Sequence, residues 1–561
     1  MTLRLDYETL VESVIERAGR EPRRPALVLV AEDDSEQTLT ASQLLESAAA
    51  HACALRSVGL GPGDLVILVM RHSRELLSAF WGTLYLGAIP SIFPFLSEKL
   101  DPQLYMKQVR TLVAHSGARA VIALPEFIPM LTELLAGVDC RLLDSEHVAA
   151  GTGASSPPPS PPVSTEAVAF LQHSSGSTGL QKGVALSHRA VLNQVRSYSR
   201  AIALDESDVI VSWLPLYHDM GLIACCVMPI VAGVRLVLIS PFHWVREPGV
   251  LFRAVQRHGG TLSWLPNFAY NHCARNVRER DLEGVDLRPW RVINCSEPVR
   301  YDSHRLFLER FGPAGLRETA LGSCYAMAEA TFAVTASPVE GPPRVDWIQL
   351  PALQAERRAV PAAAEQPGAI PMTSSGTPIE GVEVAVVGDD GRRLPDRRLG
   401  EIVVRGDCLF SGYHRRPDLD AKAIRNGWYH TGDIGYRAGD ELYVTGRQDD
   451  LIIVGGKNVH PNDLEAIANE VPGIHPGRAV AFGVPDGQLG TQAVVMVGEL
   501  AEETGPEGRR RIESELRRRI ARQTEITLAD VVLVDARWLL KTSSGKIARG
   551  ANREKYLRRP R

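Results

Sequence analysis

Short runs of consecutive apolar residues alternate with amphipathic segments along most of this chain. Leu65–Met70 is apolar throughout and follows a Gly-Pro-Gly-Asp turn, and Ala167–Leu171 has the same character. Continuous runs of this length are typical of strands that are buried on both faces of a parallel sheet. The amphipathic segments between them predict covering helices, so the pattern predicts an α/β fold with largely parallel sheets.

The first 150 residues follow this pattern and end at a segment that is unsuited to packing. A helical spacing of apolar residues begins at Leu10, a strand is predicted at Ala26–Ala31, and Thr38–Thr40 predicts a strand that runs into a helix N-cap. Residues 151–162 have the sequence GTGASSPPPSPP, which offers almost nothing apolar to bury. We therefore expect a surface linker at 151–162, between a first and a second α/β lobe.

The pattern changes twice after about residue 336. Residues 346–371 are rich in Pro and Ala and carry a short amphipathic patch at Trp347–Leu353. Short strands and turns then predict a small β-barrel over 381–446, and an α+β pattern follows. We expect a large N-terminal domain over 1–446 and a small, mobile C-terminal domain over 447–561, about 110 residues long. The later predicted strands are Val382–Val387, Glu401–Arg405, Glu441–Val444, Leu451–Val454, Ala479–Gly483, Ala493–Val497 and Val531–Val534, with helices near Pro461–Glu470 and Glu507–Gln523.

Composition and charge narrow the class of protein. The chain has 561 residues and a net charge of −4, with 45% hydrophobic and 23% charged residues. This balance gives no bulk attraction to nucleic acid. The acidic N-terminal segment lacks the apolar stretch of a signal peptide, and Met220–Val234 is too short to span a bilayer. The eight cysteines form no CxxC pair, so we expect reduced thiols in a cytoplasmic protein.

The most distinctive polar segment is His173–Gly183, with the sequence HSSGSTGLQKG. It follows the predicted strand at Ala167–Leu171 and precedes a short apolar run and a helix that begins near Ser187. Glycines let backbone amides approach an anion closely, hydroxyl groups add donors, and Lys182 adds a positive charge. The segment does not fit the P-loop pattern, because no Gly precedes Lys182. We therefore expect a polyphosphate-binding loop of another kind.

This loop resembles the phosphate loop of the adenylate-forming superfamily, which contains acyl-CoA synthetases, luciferases and the adenylation domains of peptide synthetases. Those enzymes use ATP and Mg²⁺ to convert a carboxylic acid into an acyl-adenylate. The resemblance implies that the loop and several later residues bind ATP or AMP. The implied residues are Ser174, Ser175, Gly176, Ser177, Thr178, Gly179, Lys182, Ser296, Glu297, Tyr325, Asp433 and Arg447.

Three further segments are similar to the fatty acyl-AMP ligase branch of this superfamily. They are WLPLYHDMGL at 213–222, LPNFAY at 265–270 and NCSEPV at 294–299. The resemblance implies that His218 lies close to the reacting carboxylate. Position 295 is Cys where the family has Gly, and we expect its side chain to point where a purine passes. The residues implied for the acyl pocket are Trp264, Asn267, Phe268 and Met327.

Motifs in the second half of the chain complete the resemblance. CYAMAEA at 324–330 implies that Tyr325 stacks on adenine and that Glu329 holds Mg²⁺, a hard cation that prefers oxygen ligands. YHTGDIG at 429–435 and GRQDD at 446–450 imply that Asp433 and Arg447 bind the ribose and that Asp449 is a hinge. KTSSGKIAR at 541–549 implies that Lys546 is catalytic and reaches the carboxylate and the α-phosphate.

The resemblance covers nearly the whole chain and implies an acid–thiol ligase. Such an enzyme makes acyl-AMP from a hydrophobic acid and passes the acyl group to a phosphopantetheine thiol, on a carrier protein or on CoA. Residues 346–371 lie where fatty acyl-AMP ligases carry an insertion that limits motion of the C-terminal domain and disfavours free CoA. The string GGKNVHP at 455–461 also resembles that branch.

Two alternatives stay open at this point. One is a full acyl-CoA ligase, if the insertion does not block CoA. The other is a variant that only forms thioesters from preformed acyl-AMP, because His173, Gln181, Cys295 and Ala326 depart from the family around the nucleotide. A non-catalytic acyl-nucleotide binding protein would be a third, but the intact Lys182, Glu329, Asp433, Arg447 and Lys546 argue against it.

A run of arginines near the C-terminus has two interpretations. It predicts either a solvated helix face or a docking face for an acidic carrier protein or for CoA phosphates. The acid and the oligomeric state are not determined by the sequence. The arginines are Arg509, Arg510, Arg511, Arg517, Arg518, Arg519 and Arg522.

Overall fold

The structure is a computed structural model of the chain. It describes residues 3–95, 102–150, 161–174, 182–339, 341–454, 457–486, 491–524, 526–542 and 545–559. Most of the predicted linker, 151–160, and most of the predicted phosphate loop, 175–181, lie outside the described residues.

Helices and strands alternate over the first 150 residues, as predicted. The hydroxyl of Thr40 accepts the Gln43 N–H, and the Gln43 side chain accepts the Thr40 N–H, so a capping box starts the helix predicted there. The elements are α1 Leu10–Arg20, β1 Pro25–Val30, β2 Glu36–Thr40, α2 Ala41–Ser57, β3 Leu65–Val69, α3 Arg74–Tyr85, β4 Ile89–Ile92, α4 Pro102–Ser116, β5 Ala120–Ala123, α5 Ile128–Leu134, β6 Arg141–Asp144 and α6 Ser145–Ala150, with a 3-10 turn at Pro125–Phe127.

The same alternation continues to residue 336. One helix is unusual: Met220–Val227 is a π-helix, a form that is rare and frequently found at functional sites. The elements are β7 Val168–Ser174, β8 Lys182–Ser187, α7 His188–Ala201, β9 Val209–Ser212, the π-helix, α8 Met228–Ala232, β10 Arg235–Ile239, α9 Pro241–Arg246, α10 Gly249–His258, β11 Leu262–Leu265, α11 Asn267–Asn276, β12 Arg291–Asn294, α12 Tyr301–Phe311, β13 Leu321–Ala326 and β14 Ala333–Ala336, with 3-10 turns at Glu279–Leu282, Gly312–Ala314, Glu318–Ala320 and Ala328–Ala330.

Residues 345–447 are mainly antiparallel strands. Where the sequence predicts a small β-barrel, the structure has a five-stranded antiparallel sheet. The elements are β15 Val345–Gln349, α13 Leu350–Glu356, β16 Ala369–Thr373, β17 Thr377–Pro378, β18 Val382–Val387, β19 Gly400–Gly406, β20 Gly412–Tyr413, α14 Pro417–Ala423, β21 Ile424–Arg425, β22 Trp428–Ala438 and β23 Glu441–Arg447.

The C-terminal segment has the predicted α+β character. Its buried apolar residues form two clusters of their own, separate from the main core. A core of its own is what a small domain needs to fold as a unit. The elements are β24 Ile452–Val454, β25 Lys457–Val459, α15 Pro461–Asn469, β26 Ile474–Asp486, β27 Thr491–Leu500, α16 Pro506–Thr524, β28 Leu528–Val534 and α17 Arg549–Leu557.

A nine-stranded sheet forms the centre of the molecule, in the order β17-β14-β13-β12-β11-β9-β10-β1-β2. Its central strands are parallel, from β13 through β1. Strand β1 pairs with β10, with Leu27 beside Leu236, although the two strands are separated by the predicted linker. The first lobe predicted from the sequence is therefore not a unit of its own, because two of its strands complete the second sheet.

Two smaller sheets lie beside the central one. The four-stranded parallel sheet β4-β3-β5-β6 has its own apolar core, and β7 packs against β4. Strands β7 and β8 form an antiparallel pair, which β20 extends to three strands. This third sheet brings the phosphate-loop strands next to Tyr413.

The predicted insertion is a hairpin with a short helix at its tip. Strands β15 and β16 pair from Val345 with Thr373 to Gln349 with Ala369, and α13 follows β15 directly. Ile348 is fully buried in a cluster with Tyr436 and Tyr443 of the antiparallel sheet. The hairpin is therefore anchored on that sheet, while α13 packs against β25 of the C-terminal segment.

None of the helices in the described part of the chain combines the length and the apolarity that crossing a membrane requires.

Candidate active site

A turn after strand β9 brings His218 and Asp219 to the carboxyl edge of the central sheet. The Gln172 side chain donates to the Tyr217 carbonyl at 2.8 Å, and the His218 N–H donates to the Pro215 carbonyl at 3.2 Å. The His218 carbonyl then accepts the Leu222 N–H at 2.8 Å as the π-helix begins. Parallel sheets bind ligands at this edge, so the turn is well placed for chemistry.

The π-helix starts without room for a side chain at its second residue. A Cβ on Gly221 would lie 2.2 Å from the Pro215 carbonyl oxygen, which is closer than any real contact. The Asp219 Oδ1 accepts the Met220 N–H at 2.7 Å and caps the helix. Burial raises the pKa of the Asp219 carboxyl, and the Lys546 ammonium opposes this rise.

The turn after β12 carries Ser296 in a strained backbone conformation. Ser296 has a φ of 72°, in the left-handed region that favours glycine. The Asn267 Oδ1 holds both ends of this turn, since it accepts from the Asn294 side chain and from the Arg300 N–H, each at 3.1 Å. Glu297 accepts the Phe268 N–H at 3.1 Å. Asn267 and Glu297 therefore shape the turn from within the protein.

Cys295 does not project from this turn. Its side chain is 0% exposed and interacts with the Cys324 thiol and with Tyr198. The expectation that the Cys295 side chain points into the path of a purine is wrong, because the side chain turns into the core beneath the strands.

Lys546 reaches this turn from the C-terminal segment. Its ammonium donates a hydrogen bond to the Ser296 carbonyl. The loop that carries it is closed by the Thr542 N–H, which donates to the Lys546 carbonyl at 2.7 Å, and by Gly545 with a φ of 81°. The two parts of the chain thus meet at the predicted catalytic lysine.

Glu329 lies between the phosphate-loop strands and the antiparallel sheet. The Tyr413 hydroxyl donates to its Oε1 at 2.8 Å, and the Lys182 ammonium lies 5.0 Å from the centre of the Tyr413 ring. Glu329 also interacts with the charges of Asp219 and Arg447. One carboxylate therefore receives a hydrogen bond from Tyr413 and acts on the charges of two further segments.

Tyr325, Asp433 and Arg447 form a hydrogen-bonded group. The Tyr325 hydroxyl donates to Asp433 Oδ2 at 2.6 Å, and the Arg447 Nε donates to Asp433 Oδ1 at 3.1 Å. The Asp433 carboxylate raises the pKa of Arg447, whereas burial is the main cause of the raised pKa of Tyr325. Tyr325 is only 8% exposed, so the structure shows it as the partner of Asp433, while its predicted stacking on adenine stays a prediction.

The family model for AMP-binding enzymes matches residues 14–414 of the chain. The chain belongs to this family. A relative from Caulobacter vibrioides, provisionally named an acyl-CoA synthetase, is 31% identical over 535 residues, which cover 93% of this chain and 91% of the relative. The long-chain-fatty-acid–AMP ligase FadD26 of Mycobacterium bovis is 32% identical over 558 residues, which cover 92% of this chain and 91% of that protein.

The solved structures give the same assignment for the fold. A structure from work on the fatty acyl-adenylate ligases of E. coli and L. pneumophila matches with a TM-score of 0.90 at 28% identity, over 99% of this chain and 99% of that chain. The large N-terminal part and the smaller C-terminal part of this AMP-binding enzyme are thus arranged as in an adenylate-forming ligase.

The residues predicted to line the acyl pocket of this AMP-binding enzyme occupy different environments. Trp264 is fully buried and donates to the Tyr198 hydroxyl at 2.8 Å, which favours a core role. Phe268 is 39% exposed, with Trp213 and Trp244 beside its ring at 6.2 Å and 6.3 Å. Met327 is partly buried at the end of β13, next to the core. Direct contact of these side chains with an acid stays a prediction.

The other three residues that depart from the family pattern are His173, Ala326 and Gln181. His173 is buried, shares a hydrogen bond of 2.9 Å between its Nδ1 and the Ser91 hydroxyl, and has its pKa lowered by burial to about 4. Its ring therefore faces the four-stranded sheet rather than an open cleft. Ala326 is partly buried at the end of β13, and Gln181 lies outside the described residues.

The predicted hinge residue, Asp449, lies between strand β23 and strand β24. Asp449 is exposed, in the turn that joins β23 to β24. Its neighbour Asp450 pairs with Arg549, which also binds Glu465 at 2.8 Å inside the C-terminal segment. The ion pair from Arg300 to Asp463, at 3.4 Å, joins the N-terminal part of the chain to the C-terminal segment. Asp449 itself has the exposure that a hinge requires.

The residues present fit a magnesium ion that is held by one carboxylate and by substrate phosphates. Mg²⁺ binds oxygen ligands and usually takes one or two carboxylates together with phosphates. Glu329 supplies such a carboxylate. Within the described residues, no group of three His, Cys, Asp or Glu side chains forms a complete protein cage for a metal. Of the predicted phosphate loop, Ser174 ends β7 and Lys182 begins β8, while 175–179 lie outside the description.

Sequence reasoning missed Tyr413, and it placed Asp219 on a turn available for polar work without giving it a role. Tyr413 contacts Glu329 across 84 positions of sequence, and no local pattern relates them. Asp219 stands beside His218 in the sequence, and its pKa responds to both Lys546 and Glu329. A carboxylate beside a histidine within the largely apolar string LPLYHDMGL was the available signal for Asp219.

Intramolecular contacts occupy four of the seven arginines near the C-terminus. Arg509 pairs with Asp535, Arg517 with Glu513, and Arg518 and Arg519 both with Glu515. Because arginines still outnumber the carboxylates of α16, the choice between a solvated face and a docking face stays a prediction.

Proposed function

We propose that this AMP-binding enzyme activates a hydrophobic carboxylic acid with ATP-Mg²⁺ as acyl-AMP and transfers the acyl group to a phosphopantetheine thiol. The observation that carries the proposal is the meeting of Lys546 with the Ser296 turn, beside Asp219, Glu329 and the Asp433–Arg447 pair. These six residues come from six separate motifs, and they offer the cation, the metal ligand and the ribose acceptor that the proposed chemistry needs.

In the first half-reaction, a carboxylate oxygen attacks the α-phosphorus of ATP. The bond from the α-phosphorus to the bridging oxygen breaks, and pyrophosphate leaves with the electron pair. Two anions approach each other, so the positive charge of Lys546 lowers the barrier. Mg²⁺ bound at Glu329 would neutralise phosphate charge. Asp433, held by Tyr325 and Arg447, would accept hydrogen bonds from the ribose hydroxyls.

In the second half-reaction, the thiol sulfur attacks the acyl carbonyl carbon. The carbon–oxygen bond to the phosphate breaks, AMP leaves with the electron pair, and the thiol proton passes to water. Lys546 has no role in this step. We propose that the domain 447–561 rotates about Asp449 relative to the domain 1–446 between the two steps, so that one lid serves both reactions.

The contact between the insertion and the C-terminal domain supports a carrier protein as the acceptor. Helix α13 packs against β25, and the hairpin that carries it is anchored on the N-terminal domain. An anchored contact of this kind restricts rotation of the smaller domain. We therefore propose the fatty acyl-AMP ligase type, in which free CoA is a poor acceptor. All eight cysteines are free thiols, which is consistent with a reducing, cytoplasmic location.

The experiment is acid-dependent formation of acyl-AMP and pyrophosphate from ATP-Mg²⁺, followed by mass spectrometry across fatty, aromatic and polycyclic acids. Parallel reactions contain CoA or a phosphopantetheinylated carrier protein. We expect acyl-AMP to accumulate with CoA and to disappear with the carrier. Thioester formation with CoA would identify an acyl-CoA ligase instead, the activity that the name of the Caulobacter relative suggests.

A third outcome would indicate an altered nucleotide site. If no acid gives acyl-AMP but synthetic acyl-AMP is converted into thioester, the enzyme lacks the first half-reaction. The burial of Cys295 and His173 weighs against this outcome, because neither side chain projects into the site.

A further inference from the structure

The carboxyl group of Asp219 has no part in the reaction as written above, yet it lies within the site. One oxygen, Oδ1, accepts the Met220 N–H. Burial is the largest effect on this carboxyl and raises its pKa. The Glu329 carboxylate also raises this pKa, whereas the Lys546 ammonium lowers it. Both charges therefore influence this carboxyl across the site, without a direct ion pair to it.

A short series of contacts connects this carboxylate to the lysine. The Lys546 ammonium donates to the Ser296 carbonyl, and the Ser296 hydroxyl lies 3.6 Å from the Met220 sulfur. Met220 is the residue whose N–H Asp219 accepts. The lysine ammonium has three N–H donors, and the Ser296 carbonyl takes one of them. A negative charge in the same site attracts the ammonium group as a whole.

We propose that Asp219 is a positioning residue that draws Lys546 of the C-terminal domain onto the Ser296 carbonyl and thereby fixes the arrangement in which acyl-AMP forms. The proposal rests on the proposed function, because it assigns Lys546 to the adenylation step. Attraction between opposite charges is strong where water is excluded. A lysine that is already in place when acid and ATP arrive loses less freedom in the transition state.

The variant Asp219→Asn separates the charge of this residue from its role as a helix cap. Asn caps helices about as well as Asp, so the Met220 N–H keeps its acceptor while the negative charge is removed. We expect kcat for acyl-AMP formation to fall about tenfold to a hundredfold, the range for losing the attraction of one opposite charge in a partly buried site, with little change in KM for ATP. Asp219→Glu restores the charge and should recover part of the rate.

A double-mutant cycle tests whether Asp219 acts through the lysine. In a Lys546→Ala background, Asp219→Asn should cause little further loss of residual acyl-AMP formation, measured by mass spectrometry over long incubations. The matched control is Asp463→Asn, which removes the ion pair between Arg300 and Asp463 across the domain boundary without touching Lys546. Any loss of acyl-AMP formation that Asp463→Asn causes should be the same in the Lys546→Ala background. Equal losses from Asp219→Asn in both backgrounds would overturn the proposal.

A second measurement does not depend on activity. Acetylation of Lys546 in the full-length protein without substrate is quantified by peptide mass spectrometry, relative to the exposed Lys422. Asp219→Asn should raise this ratio, and Asp219→Glu should not. An unchanged ratio would refute the positioning role even if the wild type makes acyl-AMP. Conversely, a raised ratio in a protein that makes no acyl-AMP would refute the proposed function alone.

Discussion

Single side chains connect segments of this enzyme that are far apart in sequence. Lys546 contacts Ser296 across 250 positions, and Tyr325 contacts Asp433 across 108. Each of these residues is polar and partly or fully buried, so each needs a partner to offset the cost of leaving water. The partners they find are the residues that the proposed chemistry requires.

Lys546→Ala should abolish acyl-AMP formation and leave thioester formation from supplied acyl-AMP largely intact. The lysine neutralises charge only in the first half-reaction, so only that step loses transition-state stabilisation. Both half-reactions are followed separately by mass spectrometry. Lys422→Ala, at an exposed position on α14, is the control and should change neither. If both reactions survive in Lys546→Ala, the assignment of the lysine is wrong.

Tyr413→Phe should raise KM for ATP-Mg²⁺ more than it lowers kcat. The substitution removes the hydroxyl that donates to Glu329 at 2.8 Å and leaves the ring beside Lys182. Losing one hydrogen bond to a carboxylate costs about 1.5–3 kcal/mol, or about tenfold to a hundredfold. Initial rates over a Mg²⁺ titration measure the effect. Tyr436→Phe removes a comparable hydroxyl, bound to Asp346 away from the site, and should leave KM unchanged.

At the scale of elements, strand ends and helix starts set the site. Strands β9, β12 and β13 finish at one edge of the central sheet, and the turns that follow them carry Asp219, Ser296 and Glu329. The hairpin β15–β16 serves a different purpose, because it presents α13 to the C-terminal domain. Its predicted role in acceptor choice can be tested without removing its anchor.

Replacing residues 350–368 by Asn-Gly should increase the use of CoA as an acceptor. Gln349 and Ala369 are paired directly, so a two-residue turn can join β15 to β16 and keep the hairpin. The change removes α13 and its contact with β25, which frees the smaller domain to rotate. CoA thioester formation is the measurement. A folded variant with no gain in CoA use would contradict the proposed role of the insertion in acceptor choice.

The whole molecule buries several histidines that stay neutral when it folds. Burial lowers the pKa of each of them to about 4 from an ordinary value of 6.5. They lie on three helices, on β7 and between β3 and α3, spread over the N-terminal part of the chain, so their effect is on global stability. The residues are His51, His72, His173, His188 and His304.

The melting temperature should fall as the pH drops from about 6.5 to about 4. In this window the unfolded chain binds protons on these histidines and the folded chain does not, so protons favour unfolding. Above pH 6.5 these histidines are neutral in both states, so they take nothing from the free energy of unfolding. Below pH 4 they are protonated in both states, so a further drop in pH causes no further loss through them. Thermal melts across this range measure the effect. His51→Gln removes one of the titrating groups and should reduce the slope, and an unchanged slope would contradict the argument.

The sequence by itself determined the elements and the chemistry of this protein. Apolar runs located most strands, since burial on both faces requires continuous apolar residues. Thr40 and Ser187 located helix starts, because caps act locally. The motifs predicted the residues of the site, because glycines, hydroxyl groups and single charges at fixed spacing meet local geometric needs.

The tertiary structure decided which of these parts meet. Pairing of β1 with β10 crosses the predicted linker, and the burial of Cys295 depends on which face of β12 meets the core. The contacts of Tyr413 with Glu329 and of Lys546 with the Ser296 carbonyl likewise join residues from different elements. Local patterns carry no information about such pairs, because the energy of packing and of charge pairing depends on distance in space rather than along the chain.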